Sequence, residues 1–373
     1  MIRQPIPFNT LPPGDTLDET LEGLGMKQTE LAKRTGLSTK TISRIITGHE
    51  VISQETALAL EKVLKVPAHF WINLEARYRE ALAREQEAAG NSKHEEWVAI
   101  FPYAKMAGLG LVPSTRKIGE KVRHLVNYFA VRDPDQWEKV YPVMKLGLSY
   151  RKSPKVGEKM GTLSAWLRAG EIAAEQTETR EFSAELFASN LAKIRELTLR
   201  DTAEFVPRVQ ELCAEAGVVY CLVPELPGLG ISGVMRWYRG RPMIQQTLRF
   251  KTADSFWFTF LHEARHVLQE RKKSIFLEGQ FAEQEDLVRE ADADKFARDQ
   301  LIPQNAWDEF LSGVPKPGIA AIRKFADDQG LHPGIVVGRL FREKRLEYGH
   351  PCRSLQCRLE WVEKGRHHDK MKM

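Results

Sequence analysis

The sequence of 373 residues predicts a mostly α-helical chain that ends in a C-terminal α+β unit with a small β-sheet. Three observations carry that prediction. Apolar residues recur at helical spacing through the first 80 residues and again from Trp97 to about Leu199. Short β-like runs occur only late, at Val218–Val223 and Pro242–Leu248, separated by a Pro/Gly-rich loop from Pro224 to Gly233. Helical patterns then return over Ser255–Glu270 and Arg289–Arg298. A chain of this length exceeds the size at which one core stops growing and holds about two or three domains. Composition divides it into a helical N-terminal unit (1–80), a polar connector (81–96), a helical middle (97–204), a mixed unit (205–362) and a basic tail (363–373). The connector continues the preceding helix and breaks at Gly90-Asn91-Ser92, with a flexible joint near Asn91. In the middle, loops fall at Pro113-Ser114 and Ser153-Pro154, and Trp97, Trp137, Trp166 and Leu167 read as core.

Several classes drop out on composition. With 42% hydrophobic and 28% charged residues, and 26 Gly and 19 Pro spread along the chain, collagen-like and wholly disordered readings fail. No apolar run approaches the roughly 18 residues of a membrane span, and Met1–Phe8 lacks a signal-peptide core, so a cytoplasmic protein without membrane contact is expected. The four cysteines, Cys213, Cys221, Cys352 and Cys357, are too few for a disulfide framework, and reduced thiols are expected. The net charge of +5 says little by itself, and residues 1–80 balance 10 basic against 10 acidic side chains. Within them, Lys27, Lys33, Arg34, Lys40 and Arg44 face only Glu30, so the positive charge is local.

That cluster lies on a pair of short amphipathic helices over Met26–Gly48. Leu31 and Ala32 face inward from the first helix, and Gly36 supplies the positive φ of a tight turn. Leu37 anchors the turn, and Ser38 can cap a second helix whose inner face is Ile42 and Ile45. The outer face is then Thr39, Lys40, Ser43 and Arg44, which in a helix-turn-helix enter the major groove of DNA. Ser38 stands at the same edge, and Gln28 and Thr29 are placed to touch flanking phosphates. A helical core with merely solvated charges is the alternative, and the apolar spacing with the Gly turn argues against it. The segment resembles the Xre-type helix-turn-helix of the HigA antitoxin group through Pro13-Gly14, Gly25-Met26, Gln28–Gly48, Glu55-Thr56-Ala57 and Pro67–Leu74, covering about residues 12 to 80. The resemblance implies a five-helix domain, binding to a palindromic operator as a homodimer, and a toxin partner.

The strongest chemical signal is His262-Glu-Ala-Arg-His266, inside a helical pattern. Spacing of i and i+4 puts both imidazoles on one helix face, where they can share a Zn²⁺, with Glu263 one step round and able to reach a water on the metal. Five residues can match by chance, so a third ligand is required. Glu290, 24 positions on (290 minus 266), heads a second i, i+4 pair with Asp294. Glu290 would complete the ligands, and Asp294 would accept the other N–H of a ligating histidine. Three protein ligands leave the fourth position for water, the open arrangement of a catalytic zinc, one ion per chain. Zinc brings the pKa of such water toward 7, and Glu263 would take its proton and pass it to a leaving amine, which amounts to peptide-bond hydrolysis. Taken alone, Glu290 and Asp294 would read as a solvated charged face; with the two histidines they do not.

This unit resembles the ImmA/IrrE metallopeptidase family, in which a motif like His262-Glu263-x-x-His266 is followed by one like Glu290-x-x-Ala293-Asp294-x-Phe296-Ala297 and then Leu301-Ile-Pro303. The likeness continues from about Ala216 to Trp361 through Gly233, Phe256–Phe260 and Ile335–Leu340. It implies a zincin-like domain, zinc on His262, His266 and Glu290, and Glu263 as general base. Family members typically cleave or inactivate a repressor, and several are fused to a helix-turn-helix. Where the family often has Gly before the second histidine, this chain has Arg265, which points about 100° away and can pair with an acidic neighbour or with substrate.

Other patterns are weak. Cys352 and Cys357 with His350, His367 and His368 lack zinc-site spacing, and His49, His69, His94 and His124 have no partner at ligand spacing. Pro227–Gly233 lacks the trailing Lys of a phosphate loop. Two functions follow: a DNA-binding antitoxin-like regulator whose zinc peptidase cuts a specific toxin or repressor protein, or a non-catalytic antitoxin and autorepressor with a structural or sensory metal.

Overall fold

The computed structural model describes residues 12–91, 94–141, 156–269 and 280–361. Two compact units result, one of residues 1–95 with 116–123, the other of residues 96–115 with 124–373. Of the break expected at Gly90-Asn91-Ser92, Gly90 and Asn91 are still helical, while Ser92, the loop expected at Ser153-Pro154 and the tail lie outside the described residues. Among the described residues no helix is long and apolar enough to cross a membrane.

Five helices open the chain: α1 (Pro13–Gly23), α2 (Gln28–Thr35), α3 (Thr39–Ile46), α4 (Gln54–Leu64) and α5 (Ala68–Asn91). Local chemistry sets their ends. Gly36 closes α2 at φ 75°, Ser38 caps α3 by accepting from the Thr41 N–H at 3.0 Å, and Ser53 caps α4 in the same way. Leu17, Leu31, Ile42, Leu60 and Trp71 from the five helices meet in one core and are fully buried. A Cβ on Gly14 would lie 2.4 Å from the Ile45 carbonyl oxygen, so α1 can seat against α3 only with glycine there.

Seven helices follow: α6 (Glu95–Ala99), α7 (Tyr103–Gly108), α8 (Ile118–Phe129), α9 (Pro134–Val140), α10 (Val156–Glu175), α11 (Ala184–Glu196) and α12 (Thr202–Glu215). Trp97, Trp137, Trp166 and Leu167 are buried among them, as their size and spacing predict. The sheet comprises β1 (Val219–Leu222), β2 (Gly233–Tyr238) and β3 (Arg241–Gln246), in the order β1-β3-β2. β1 runs parallel to β3 and β2 antiparallel. Two of these strands match the expected β-runs; β2 is an addition, because the stretch after the Pro/Gly loop folds back on β3. Arg239 (φ 49°) and Gly240 (φ 77°) make its two-residue turn, both in the left-handed conformation that twisted hairpins use.

The remaining helices are α13 (Ala253–Gln269), α14 (Gln280–Leu301), α15 (Gln304–Gly313), α16 (Ile319–Asp328) and α17 (Pro333–Arg342). Helix α13 packs on β2 and β3, while α10 packs on β1 and β3. The central strand is tied to both helices by adjacent, fully buried glutamines. The Gln245 amide donates to the Trp166 carbonyl of α10 at 2.6 Å, and that of Gln246 to the Phe256 carbonyl of α13 at 2.8 Å. Because neighbouring side chains on a strand point to opposite faces, these two amides fix the helices on either side. Phe256, Trp257, Phe260 and Leu261 of α13 then join Phe205, Ile322, Val336 and Leu340 in the main core.

Candidate metal centre and nucleic-acid interface

Helices α13 and α14 bring together the three expected ligands. His262 and His266 stand one turn apart, and Glu290 of α14 spans them. His262 Nε2 lies 3.2 Å from His266 Nε2 and 3.2 Å from Glu290 Oε2, and His266 Nε2 lies 3.3 Å from Glu290 Oε1. A tetrahedral ion about 2.0 Å from each donor requires donor-to-donor edges of about 3.3 Å. In this triangle of residues the two histidine nitrogens are about one such edge apart and each meets a different oxygen of Glu290 at close to that distance, so the group could hold a metal ion.

The rings are also turned the right way. Asp294 Oδ1 lies 2.9 Å from His262 Nδ1 and, being a carboxylate, can only accept, so that nitrogen carries the proton. His266 Nδ1 lies 3.0 Å from Gln269 Oε1. The Gln269 nitrogen donates to Asp292 at 2.6 Å and to the Arg289 carbonyl, which fixes the amide with its oxygen toward His266. Both rings thus use Nδ1 outward and turn Nε2 to the shared vertex. Arg265 donates to the same Asp292 carboxylate at 2.7 Å, an acidic neighbour of the kind expected for it.

Electrostatics follow from this geometry. Burial disfavours a charge on His262, but its contacts with Asp294 and Glu290 bring the imidazole up to about 10. Hydrogen bonds to both histidines hold the Glu290 carboxyl well below the usual carboxylate range. One side of the triangle is open, since the Glu290 side chain keeps 46% of its surface accessible. Glu263, in contrast, is buried toward β2. Burial pushes its carboxyl up, and both histidines and the Met235 backbone amide pull it back. A Cβ on Gly233 would come within 3.0 Å of the Glu263 carboxylate, so β2 passes this side chain at the closest distance glycine permits.

In the N-terminal unit, Thr29, Ser38, Thr39, Lys40, Ser43 and Arg44 are exposed and Gln28 is half-buried. Gln28 and Thr29 open α2, and Thr39 through Arg44 lie on α3. Two of these side chains are engaged within the unit. The Ser38 oxygen is taken by the helix cap, and Arg44 donates to Glu50 at 3.0 Å and to the His49 carbonyl at 3.1 Å. Lys40 makes no ion pair among the described residues.

Sequence reasoning did not find the Gln269–Asp292–Arg265 network or the Arg44–Glu50 pair. Their only signal is spacing, with Gln269 three residues after His266 and Glu50 six after Arg44.

Comparison with known proteins finds similarity to helix-turn-helix proteins. A helix-turn-helix family model matches residues 17–71. An HTH-type transcriptional regulator of Escherichia coli K12, YddM, itself uncharacterized, is 32% identical over 63 residues, 17% of this chain and 67% of that protein. An addiction module antidote protein of a HigA family from Coxiella burnetii is 30% identical, with a TM-score of 0.22, over 23% of this chain and 95% of that one.

Proposed function

We propose, for a chain that belongs to the helix-turn-helix family through its N-terminal residues, a DNA-binding transcriptional regulator of the antitoxin kind that also carries a zinc-dependent peptidase unit. For DNA binding, the supporting observation is α3, whose Ile42 and Ile45 are buried while Thr39, Lys40, Ser43 and Arg44 project outward together. On duplex DNA these four would face base edges, with Gln28, Thr29 and Ser38 on the backbone. The operator is palindromic and the regulator a cytoplasmic homodimer, with a toxin or repressor as its protein partner.

For the second unit, the carrying observation is the convergence of His262, His266 and Glu290 beside a buried carboxylate. Zinc, when bound, supplies Lewis acidity toward a peptide carbonyl and acidifies water. The chain's own residues do the rest. Asp294 and Gln269 hold the two rings, and Glu263 accepts a proton at its carboxylate and returns it to the departing amine. Its burial favours that role, because a base raised from the ordinary carboxylate range shares a proton more evenly near neutral pH. A metal with only a structural task would not need this buried carboxylate beside its ligands, which favours hydrolysis over the non-catalytic reading.

The test is metal content of the purified full chain beside Glu290→Ala and Glu263→Gln. The reading expects about one zinc per chain, lost in Glu290→Ala and retained in Glu263→Gln, with cleavage of the partner protein abolished in both. Full zinc in Glu290→Ala, or unimpaired cleavage by Glu263→Gln, would sink it.

A further inference from the structure

The second unit holds another built feature away from the metal centre, a cleft of about 740 Å³ between the 250–252 segment and residues 348–360. Its walls are fastened together. The Leu359 N–H donates to the Lys251 carbonyl at 3.0 Å, and Thr252 bridges Arg358 in antiparallel fashion. Lys251 adopts φ 53°, a left-handed conformation that an L-residue holds only at a cost.

Two aromatic rings and three cations line this cleft. Phe250 is 57% exposed and Tyr348 68% exposed, unusual for rings this large. Each has a partner on one face among the described residues: the Arg249 guanidinium lies 5.0 Å from the Phe250 centroid, and Phe341 stacks on Tyr348 at 5.0 Å. The rings are thereby stiffened while much of their surface remains accessible to a ligand. Lys251, Arg353 and Arg358 share the lining with one carboxylate, Glu360, and none of the three makes an ion pair among the described residues.

We infer that this cleft binds a nucleotide, with the base stacked on Phe250 or Tyr348 and the phosphate oxygens held by Lys251, Arg353 and Arg358. Planar π faces next to guanidinium groups suit a ligand that is flat at one end and multiply anionic at the other. An acidic peptide would use the cations and leave the rings idle. The volume falls within the range of small-molecule sites. Such a nucleotide is either free or the unpaired end of a single strand, and both present the same chemistry. The inference rests on neither the DNA face of α3 nor the metal.

The experiment is titration calorimetry on the full chain carrying Lys40→Ala and Arg44→Ala, which silences the duplex-binding face. The probes are ATP, a single-stranded oligo-dT and inorganic pyrophosphate. Saturable binding of ATP or of the oligonucleotide is expected, weakened about tenfold or more by Arg353→Ala with Arg358→Ala and severalfold by Phe250→Ala or Tyr348→Ala. ATP binding identifies a free nucleotide as sufficient, and binding of the oligonucleotide alone identifies a strand end. These side chains are exposed, so thermal melting of each variant should match the parent. No binding of either probe, binding indifferent to the arginine variants, or pyrophosphate binding as tight as ATP with indifferent ring variants, overturns the inference.

Discussion

Asp294 and Gln269 do the same job for two different rings, each taking an Nδ1 proton and so aiming an Nε2 at the vertex completed by Glu290. Removing either hold leaves the ligands present but free to rotate. Asp294→Asn and Gln269→Ala are therefore expected to lower zinc affinity about 10- to 100-fold without abolishing it, measured by competition with a chromophoric chelator. Loss no greater than in a surface control would refute the orienting role. The four residues of the two i, i+4 pairs were legible in the sequence, because that spacing is a local property of a helix. Gln269 and Asp292 were not, because which carboxylate a side chain on α13 meets is decided by how α14 crosses it. A second residue-scale case is Asp254, in the first turn of α13, which accepts from Gln356 at 3.2 Å. Burial pushes its carboxyl up, against hydrogen bonds from Thr252 and Gln356 and the charge of Arg342. An acid raised in the folded state favours folding while protonated and costs stability as pH rises through its folded pKa. Asp254→Asn should thus stabilise the protein at neutral pH, with the gain vanishing below about pH 4, the unfolded value for Asp. Urea unfolding at both pH values checks this, and equal stability of the two proteins at neutral pH would contradict it.

At the scale of elements, the contact between α1 and α3 depends on one missing side chain. Gly14→Ala would put a methyl 2.3 Å from the Ile46 carbonyl oxygen and 2.4 Å from that of Ile45, backbone atoms that cannot swing aside. A loss of about 1–3 kcal/mol is expected, as for overpacking, read from chemical denaturation. The same α3 presents Arg44 already tied to Glu50 and Lys40 without such a tie. Binding DNA through Arg44 must break that pair, so Glu50→Gln should tighten operator binding. Lys40→Ala should weaken it by about 1–3 kcal/mol and relax specificity at the base Lys40 meets. Electrophoretic mobility shifts on the operator and its single-base variants separate these outcomes, and weaker binding by Glu50→Gln would show that the pair is part of the bound state. The two α3 faces were readable because Ile42 and Ile45 mark the inner one. Strand β2 was not, because only Val234 among its residues is fully buried and its apolar alternation is broken at Arg236. The Arg239-Gly240 turn was the available clue.

For the whole molecule, the residues of α3 and those of the metal triangle belong to separate compact units. Their functions should separate as well. Glu290→Ala is expected to leave operator affinity unchanged, and Lys40→Ala with Arg44→Ala to leave metal content unchanged, by mobility shift and elemental analysis on the same preparations. A change in the second property with either variant would show coupling between the units. The paired glutamines on β3 have a consequence of another kind. Pairing one position out of step exchanges the faces of every side chain on the strand. Here a slip would send the Gln245 amide toward α13 and the Gln246 amide toward α10, stranding two amides away from Trp166 and Phe256 in a dry interior, each costing about 1–3 kcal/mol. Gln-Gln at the end of a hydrophobic strand thus acts as a proofreader of alignment, excluding the misassembled sheet from which the histidine helix would hang at the wrong height.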